Sequence, residues 1–248
     1  MLWQQRAKLF LALTFGVHLL AGCSSQAPRP SFELQKNIIA VSSEKSTAYL
    51  ILQPGRAVLI NSGSDPKAFE IIESLKKRNR SPNQVLAVFI TAAHQDLSAG
   101  AGQFKMALTY IGAKDYRSLR GDKHPKALLP KLQARLSPRP IMPHNIAVVQ
   151  AGDRIDEQGF KIDVIETPGA SRGSVMYLFE EVLFTGDGLY LIEGKLSMPS
   201  SLGIASRSDL KKSLSRLVRS KFHTIADGRG NTGSIGPKDI AAFIQSLD

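Results

Sequence analysis

Two rhythms of apolar and polar positions run along this chain: short unbroken apolar runs, and apolar positions recurring every three to four residues. Ala48–Leu52 and Ala57–Ile60 are runs of the first kind, joined by Gln53-Pro54-Gly55-Arg56, which predicts a β-hairpin. Ser64-Asp65-Pro66 then predicts a helix start with proline at the first helical position and Phe69, Ile71, Ile72 and Leu75 on the buried side. Val85–Ile90 is apolar throughout and short, the signature of a buried strand. A second helix is predicted to begin within Asp96–Gly100, and Pro125–Leu136 has helical spacing with Leu128, Leu129, Leu132 and Leu136 in register. The second half is richer in strand patterns, at Ile146–Val149, Phe160–Ile165, Val175–Phe179 and Val182–Phe184. Ser206-Arg207-Ser208-Asp209 has a capping-box pattern ahead of a helix over Leu210–Val218, and Pro237 opens a last helix ending at Leu247. Strands followed by a helix, twice over and without strict βαβ alternation, predict an α/β fold of sheets sandwiched between helices.

The N-terminus follows other rules. Arg6 and Lys8 precede the apolar run Leu9–Leu20, which is shorter than the about 20 residues a spanning helix needs and has the layout of a secretory signal. Leu20-Ala21-Gly22-Cys23 follows and resembles the lipobox of bacterial lipoprotein precursors. Cys23 is the single cysteine, so no intramolecular disulfide can form, and lipidation of its thiol accounts for one unpaired cysteine in an exported chain. An ordinary cleaved signal with an incidental cysteine is the alternative. Acyl chains on Cys23 would make the membrane a partner, each buried methylene adding about 0.8 kcal/mol. The expected organisation is residues 1–23 as signal peptide and lipobox, 24–35 as a polar, proline-bearing flexible tether, and 36–248 as one domain. Ser24 after the cysteine fits the periplasmic face of the outer membrane, if the source is a double-membraned bacterium.

Charge changes the picture little. The chain carries +11; taking Arg6 and Lys8 from the 32 basic residues leaves 30 against 21 acidic ones, a net charge of +9. The basic residues are scattered, and the one tight run, Lys76-Lys77-Arg78, suits the solvated end of a helix. Without aromatic interleaving this excludes nucleic acid as the expected partner. It leaves attraction to anionic lipid or polysaccharide of the envelope open.

The informative residues stand at strand ends. Val85–Ile90 runs into Thr91-Ala92-Ala93-His94-Gln95-Asp96-Leu97-Ser98-Ala99-Gly100, Glu166-Thr167-Pro168-Gly169-Ala170-Ser171-Arg172-Gly173-Ser174 precedes a strand, Thr185-Gly186-Asp187 ends one, and Ala226-Asp227-Gly228-Arg229-Gly230 stands near the C-terminus. In order and spacing these segments resemble the metallo-β-lactamase superfamily over nearly the whole domain, as do Asn61-Ser62-Gly63 and Ala151-Gly152-Asp153. The resemblance implies a four-layer αββα sandwich. It also implies a strand-end loop Thr-His-x-His-x-Asp-His-x-Gly-Gly whose ligands converge on two metals about 3.5–4 Å apart. Carried over position by position, Ala92, Leu97, Ala170 and Arg229 replace four ligand histidines, while His94, Asp96 and Asp187 match ligands. Asn61 stands where the family usually has an aspartate.

Two functions remain open. The first is a non-catalytic binding or scaffolding protein of the envelope, a pseudoenzyme without cofactor. Its pocket of Thr91, His94, Asp96, Ala170, Arg172, Asp187 and Arg229 would use the two guanidinium groups to hold an anionic small ligand or an envelope protein. The second is a hydrolase with a mononuclear or metal-free site. There His94, Asp96 and Asp187 would hold one Zn²⁺, Mn²⁺ or Fe²⁺, or Asp96 would act as general base with Arg229 stabilising an oxyanion. A raised Asp96 pKa points to the second, an ion pair from Asp96 to Arg229 to the first. His124, His144 and His223 have no partner spacing and are expected at the surface or in packing.

Overall fold

A computed structural model describes residues 30–121, Leu132 and residues 140–247. The signal, Cys23, the first half of the tether (24–29), His124 and, Leu132 apart, the expected helix Pro125–Leu136 lie outside the described residues. The first sheet holds seven strands in chain order: β1 (Phe32–Gln35), β2 (Ile38–Ser42), β3 (Thr47–Gln53), β4 (Arg56–Ile60), β5 (Val85–Ile90), β6 (Leu108–Gly112) and β7 (Asn145–Val149). It is antiparallel up to β4 and parallel from there on. The second sheet holds β8 (Arg154–Glu157), β9 (Phe160–Glu166), β10 (Val175–Phe179), β11 (Val182–Gly186), β14 (Thr224–Asp227) and β15 (Thr232–Ser234), ordered β15-β14-β11-β10-β9-β8. A small hairpin, β12 (Tyr190–Ile192) and β13 (Lys195–Ser197), stands apart. The helices bounded within the described residues are α1 (Phe69–Lys76), α2 (Gln95–Ser98), α3 (Tyr116–Leu119), α4 (Arg207–Leu214) and α5 (Pro237–Gln245).

Three apolar layers follow from these faces. Between the sheets, Ile38, Tyr49, Val58 and Phe89 meet Phe160, Ile162, Tyr177 and Phe184. The Tyr49–Phe184 and Phe89–Tyr177 ring centroids lie 5.0 and 5.3 Å apart, and each such buried aromatic stabilises the sandwich by roughly 1.5–3 kcal/mol. Ile71 and Leu75 of α1 pack on the outer face of the first sheet, against Ile39 and Leu50. Leu214, Leu217 and Ile240 cover the outer face of the second, against Leu178 and Ile225. The result is helix, sheet, sheet, helix, the sandwich expected from the sequence.

Several expectations need correction. Phe32–Gln35, placed in the tether, is edge strand β1; Phe32 and Leu34 alternate onto the core, a period-two signal only four residues long. Helix α1 starts at Phe69 after Ala68 in the left-handed region (φ 49°), so Pro66 lies in the turn before it. There Asp65 accepts the Lys67 and Phe69 N–H groups at 2.9 and 2.8 Å, and Phe69, expected inside, is 58% exposed. The Leu210–Val218 helix divides into α4 and a 3₁₀ turn over Ser215–Arg219. Its start is as expected, with Ser206 Oγ accepting the Asp209 N–H at 3.2 Å.

Candidate functional site

The C-terminal ends of the parallel strands β4, β5 and β6, and of the parallel pair β11 and β14, meet on one rim of the sandwich. Asn61, just past β4, accepts both the backbone N–H and the hydroxyl of Thr91 at 2.9 Å, which fixes the end of β5. The Val175 N–H donates to the Thr91 carbonyl at 2.9 Å and joins the sheets there. Gly186 ends β11 at φ 54°, and a β-carbon on it would stand 2.2 Å from Thr91 Oγ1. Glycine is therefore required for the two strand ends to pass so closely, and that passage delivers Asp187 to His94.

His94 Nδ1 lies 2.8 Å from Asp187 Oδ2, both side chains buried. The Tyr190 hydroxyl donates to the other oxygen, Asp187 Oδ1, at 2.7 Å. Arg229 extends from the turn after β14, donates to the Lys45 carbonyl, and stands 3.8 Å from Asp96 Oδ2 and 6.0 Å over the Tyr190 ring. Burial pushes the Asp187 carboxyl up, but the His94 hydrogen bond and charge, with Arg229 and Tyr190, outweigh it and hold the carboxyl at about 2. For His94, burial lowers the pKa, and the Asp187 hydrogen bond and charge, helped by Asp115 and Asp96, raise it above the ordinary value. Asp96 is raised by burial and then by the Asp187 charge, with Arg229 and Lys45 opposing. Both features that separate the two functional readings are thus present at Asp96.

This donor set does not fit the family's metal centre. Three positions where imidazoles would stand are buried apolar side chains: Ala92 at 1%, Leu97 at 0% and Ala170 at 1% exposed. The fourth, Arg229, brings a cation into the centre. His94 and Asp187 are spent on each other, and Asp96 turns towards the guanidinium. Among the described residues no three or more His, Cys, Asp and Glu side chains form a metal-holding group.

Of the pocket expected from sequence, the structure joins His94, Asp96, Asp187 and Arg229, with Thr91 at the strand end beside them; Ala170, on the loop after β9, is buried against Ile204 and Leu210. Arg172 is the correction: it is exposed on a separate groove that neither Asp187 nor Arg229 lines. Its loop position fixed no side-chain direction, because no helical or strand period runs through Gly169–Gly173. His223 is exposed 3.6 Å from Glu181, and His144 lines a surface cavity beyond β6.

Sequence reasoning missed three residues. Tyr190 completes the Asp187 network. Asp227, at the end of β14, accepts the N–H groups of Arg229 and Asn231 on one oxygen, and the Leu191 N–H and Asn231 side-chain amide on the other. Asp115, buried after β6, accepts the Ala93 N–H at 3.0 Å, the Gly173 N–H at 2.9 Å and the Ser171 hydroxyl. For the two carboxylates the only available signal was a place next to a strand end, which is common in loops, and Tyr190 offered none.

Residues 44–226 match the family model described as the metallo-β-lactamase superfamily. A hydroxyacylglutathione hydrolase of Methylobacillus flagellatus is 27% identical over 152 residues, 59% of this chain and 48% of its own length. One of Xanthomonas campestris pv. campestris is 25% identical over 144 residues, 57% of this chain and 45% of its own. The chain spans about half the length of these curated relatives. Among solved structures, BJP-1, a subclass B3 metallo-β-lactamase of Bradyrhizobium japonicum, superposes with TM-score 0.66 at 19% identity over 92% of this chain and 94% of its own. A Cronobacter sakazakii metallo-β-lactamase described by its HARLDQ motif does so with TM-score 0.66 at 17% identity, over 90% and 93%. At these identities the structural likeness is one of fold.

Proposed function

The chain belongs to the metallo-β-lactamase superfamily, and from that membership we propose that it is an envelope-anchored binding or scaffolding protein, a pseudoenzyme in which an ion-paired network fills the place of the family's metal centre. The observation that carries this reading is the approach of His94 Nδ1 to Asp187 Oδ2 at 2.8 Å, with Tyr190 on the second oxygen. Two groups that would have to face a metal instead satisfy each other, and Arg229 adds fixed positive charge beside them. Plasma mass spectrometry on the full chain, purified without chelators and challenged with excess zinc or manganese, is expected to find far less than one metal per chain. A stoichiometric metal that disappears in Asp187→Ala would sink the reading.

The anchoring half rests on Leu20-Ala21-Gly22-Cys23. Labelled palmitate is expected to enter the chain in bacterial cells and to be absent from Cys23→Ser; equal labelling of the variant would remove the anchor from the proposal.

One observation favours a second reading. The raised pKa of buried Asp96 suits a metal-free general base, with Arg229 as the group facing a developing oxyanion. The curated relatives carry the name hydroxyacylglutathione hydrolase, so a hydroxyacylglutathione thioester is the first substrate to assay, with a β-lactam as the second. Turnover abolished by Asp96→Ala would establish the hydrolase; its absence leaves the binding protein.

A further inference from the structure

Beside the Asp187 network, the same rim carries a groove of about 640 Å³ between the loop Pro168–Arg172 and the length of α4. Four cationic side chains line it: Lys114 after β6, Arg172 on the loop, Lys212 on α4 and Arg216 beyond it. One carboxylate, Asp209, faces them. Lys114, Arg172 and Lys212 have no ion pair and no side-chain hydrogen bond among the described residues. Arg216 donates to a neutral group, the Glu166 carbonyl, at 2.6 Å. Elsewhere on the chain cations do find carboxylates, as Lys76 with Glu73 and Arg154 with Asp163.

Four positive groups on one concave wall, with a single negative group among them, repel one another and concentrate a positive field in the hollow. An anion with several oxygens relieves that repulsion. Arg172 and Arg216 offer planar forks that match phosphate geometry, while the two lysines add point charges from other directions. A single carboxylate would satisfy one fork and leave the rest of the wall unpaired; a phosphate, with charge on several oxygens, can engage groups from three segments together. We propose that this groove binds a phosphate-bearing anion, and that it, rather than the Arg229 centre, is the ligand site of the protein. The inference rests on reading the chain as a binding protein. It departs from the sequence expectation by separating Arg172 from Arg229.

The test is calorimetric titration of the full chain with inorganic pyrophosphate at low salt, paired with flotation on phosphatidylglycerol and on neutral phosphatidylcholine vesicles. Removing one charge-assisted hydrogen bond is expected to weaken binding about tenfold or more, so Arg172→Ala with Lys212→Ala should bring the affinity down by at least that factor. Lys161→Ala removes an exposed cation of β9 outside the groove and is expected to leave binding unchanged. Arg172 is exposed and Lys212 stands on the solvent side of its helix, so the double variant keeps its fold, which far-ultraviolet dichroism checks. Pyrophosphate binding that vanishes in the double variant supports the groove as a site for a soluble phosphate compound. Binding confined to phosphatidylglycerol vesicles and abolished in the same variant supports it as a headgroup site. No binding in either arm, or equal weakening by Lys161→Ala, overturns the proposal. If it falls while the protein remains without turnover, the binding-protein reading stands; turnover of a thioester or β-lactam removes that reading whatever the groove does.

Discussion

Asp187→Ala is expected to cost the folded chain about 3–5 kcal/mol, because removing one partner of a buried ion pair leaves the other uncompensated. Asp187 accepts from His94 at 2.8 Å and from Tyr190 at 2.7 Å, and among the charges around Arg229 it does most to raise the guanidinium pKa. Without it, a buried imidazole loses its counter-ion and a guanidinium loses the strongest of the charges that favour it. Against a typical total of about 5–15 kcal/mol this is a large share, and the urea midpoint should fall accordingly. A protein that kept Asp187 only to hold a metal would respond in the opposite way when metal-free: removing a carboxylate beside Asp96 would relieve repulsion and leave stability unchanged or higher. The same residue sets an acid limb. The Asp187 carboxyl is held at about 2, below its ordinary 3.8, so its contribution is complete above 3.8 and disappears as pH falls towards 2. His94 is raised above 6.5, so its contribution is complete below 6.5 and disappears as pH rises through the raised value. Stability should therefore be greatest between those limits, and Asp187→Ala should flatten the acid side of the profile. An unchanged profile would mean that the pair does not hold the fold.

Asp227→Ala is expected to cost a comparable amount, about 3–5 kcal/mol, by a different route. The residue is 0% exposed, and its two oxygens accept four hydrogen bonds of 2.9–3.0 Å. Burial alone pushes its carboxyl up, and those donors oppose the rise. Alanine would orphan three backbone N–H groups and one amide at once, at roughly 1–3 kcal/mol for each that cannot relax to water. Asp227→Asn keeps the size and one acceptor oxygen but sets an amide donor against donors, so an intermediate loss is expected. Urea unfolding of the three proteins measures this directly, and an alanine variant within about 0.5 kcal/mol of the parent would show that the turn is held by other groups.

The fold was legible because it is written in features that survive without chemistry. The unbroken run Val85–Ile90, the Gln53–Arg56 turn and Gly186 before Asp187 each answer to sterics or burial, and each stands in the structure as the pattern predicted. The apolar residues at the family's ligand positions were equally legible, since Ala92, Leu97 and Ala170 carry no metal-binding group. The hydrogen-bonded network around Asp187 was not. Tyr190 reaches Asp187 from the residue that opens β12, a placement set by the turn after Asp187 and by no periodicity. Edge strand β1 and the exposed Phe69 escaped for a related reason: four residues of alternation are too few to read, and an aromatic ring at a helix start has no fixed face.

The buried Asp115 carboxylate has a further consequence for the groove. It ties Ala93 after β5, Ser171 and Gly173 to the end of β6. Lys114 is its immediate neighbour in the chain, and Arg172 sits between the two residues it grips. The backbone beneath two of the four cations is thus clasped in place before any ligand arrives. Beyond the translational and rotational cost that every ligand carries, association there gives up side-chain rotamer freedom, about 0.5–1.5 kcal/mol for each chain immobilised, with the backbone under Lys114 and Arg172 already ordered. A preorganised wall of this kind favours fast capture and release of a small charged guest over slow closure around it.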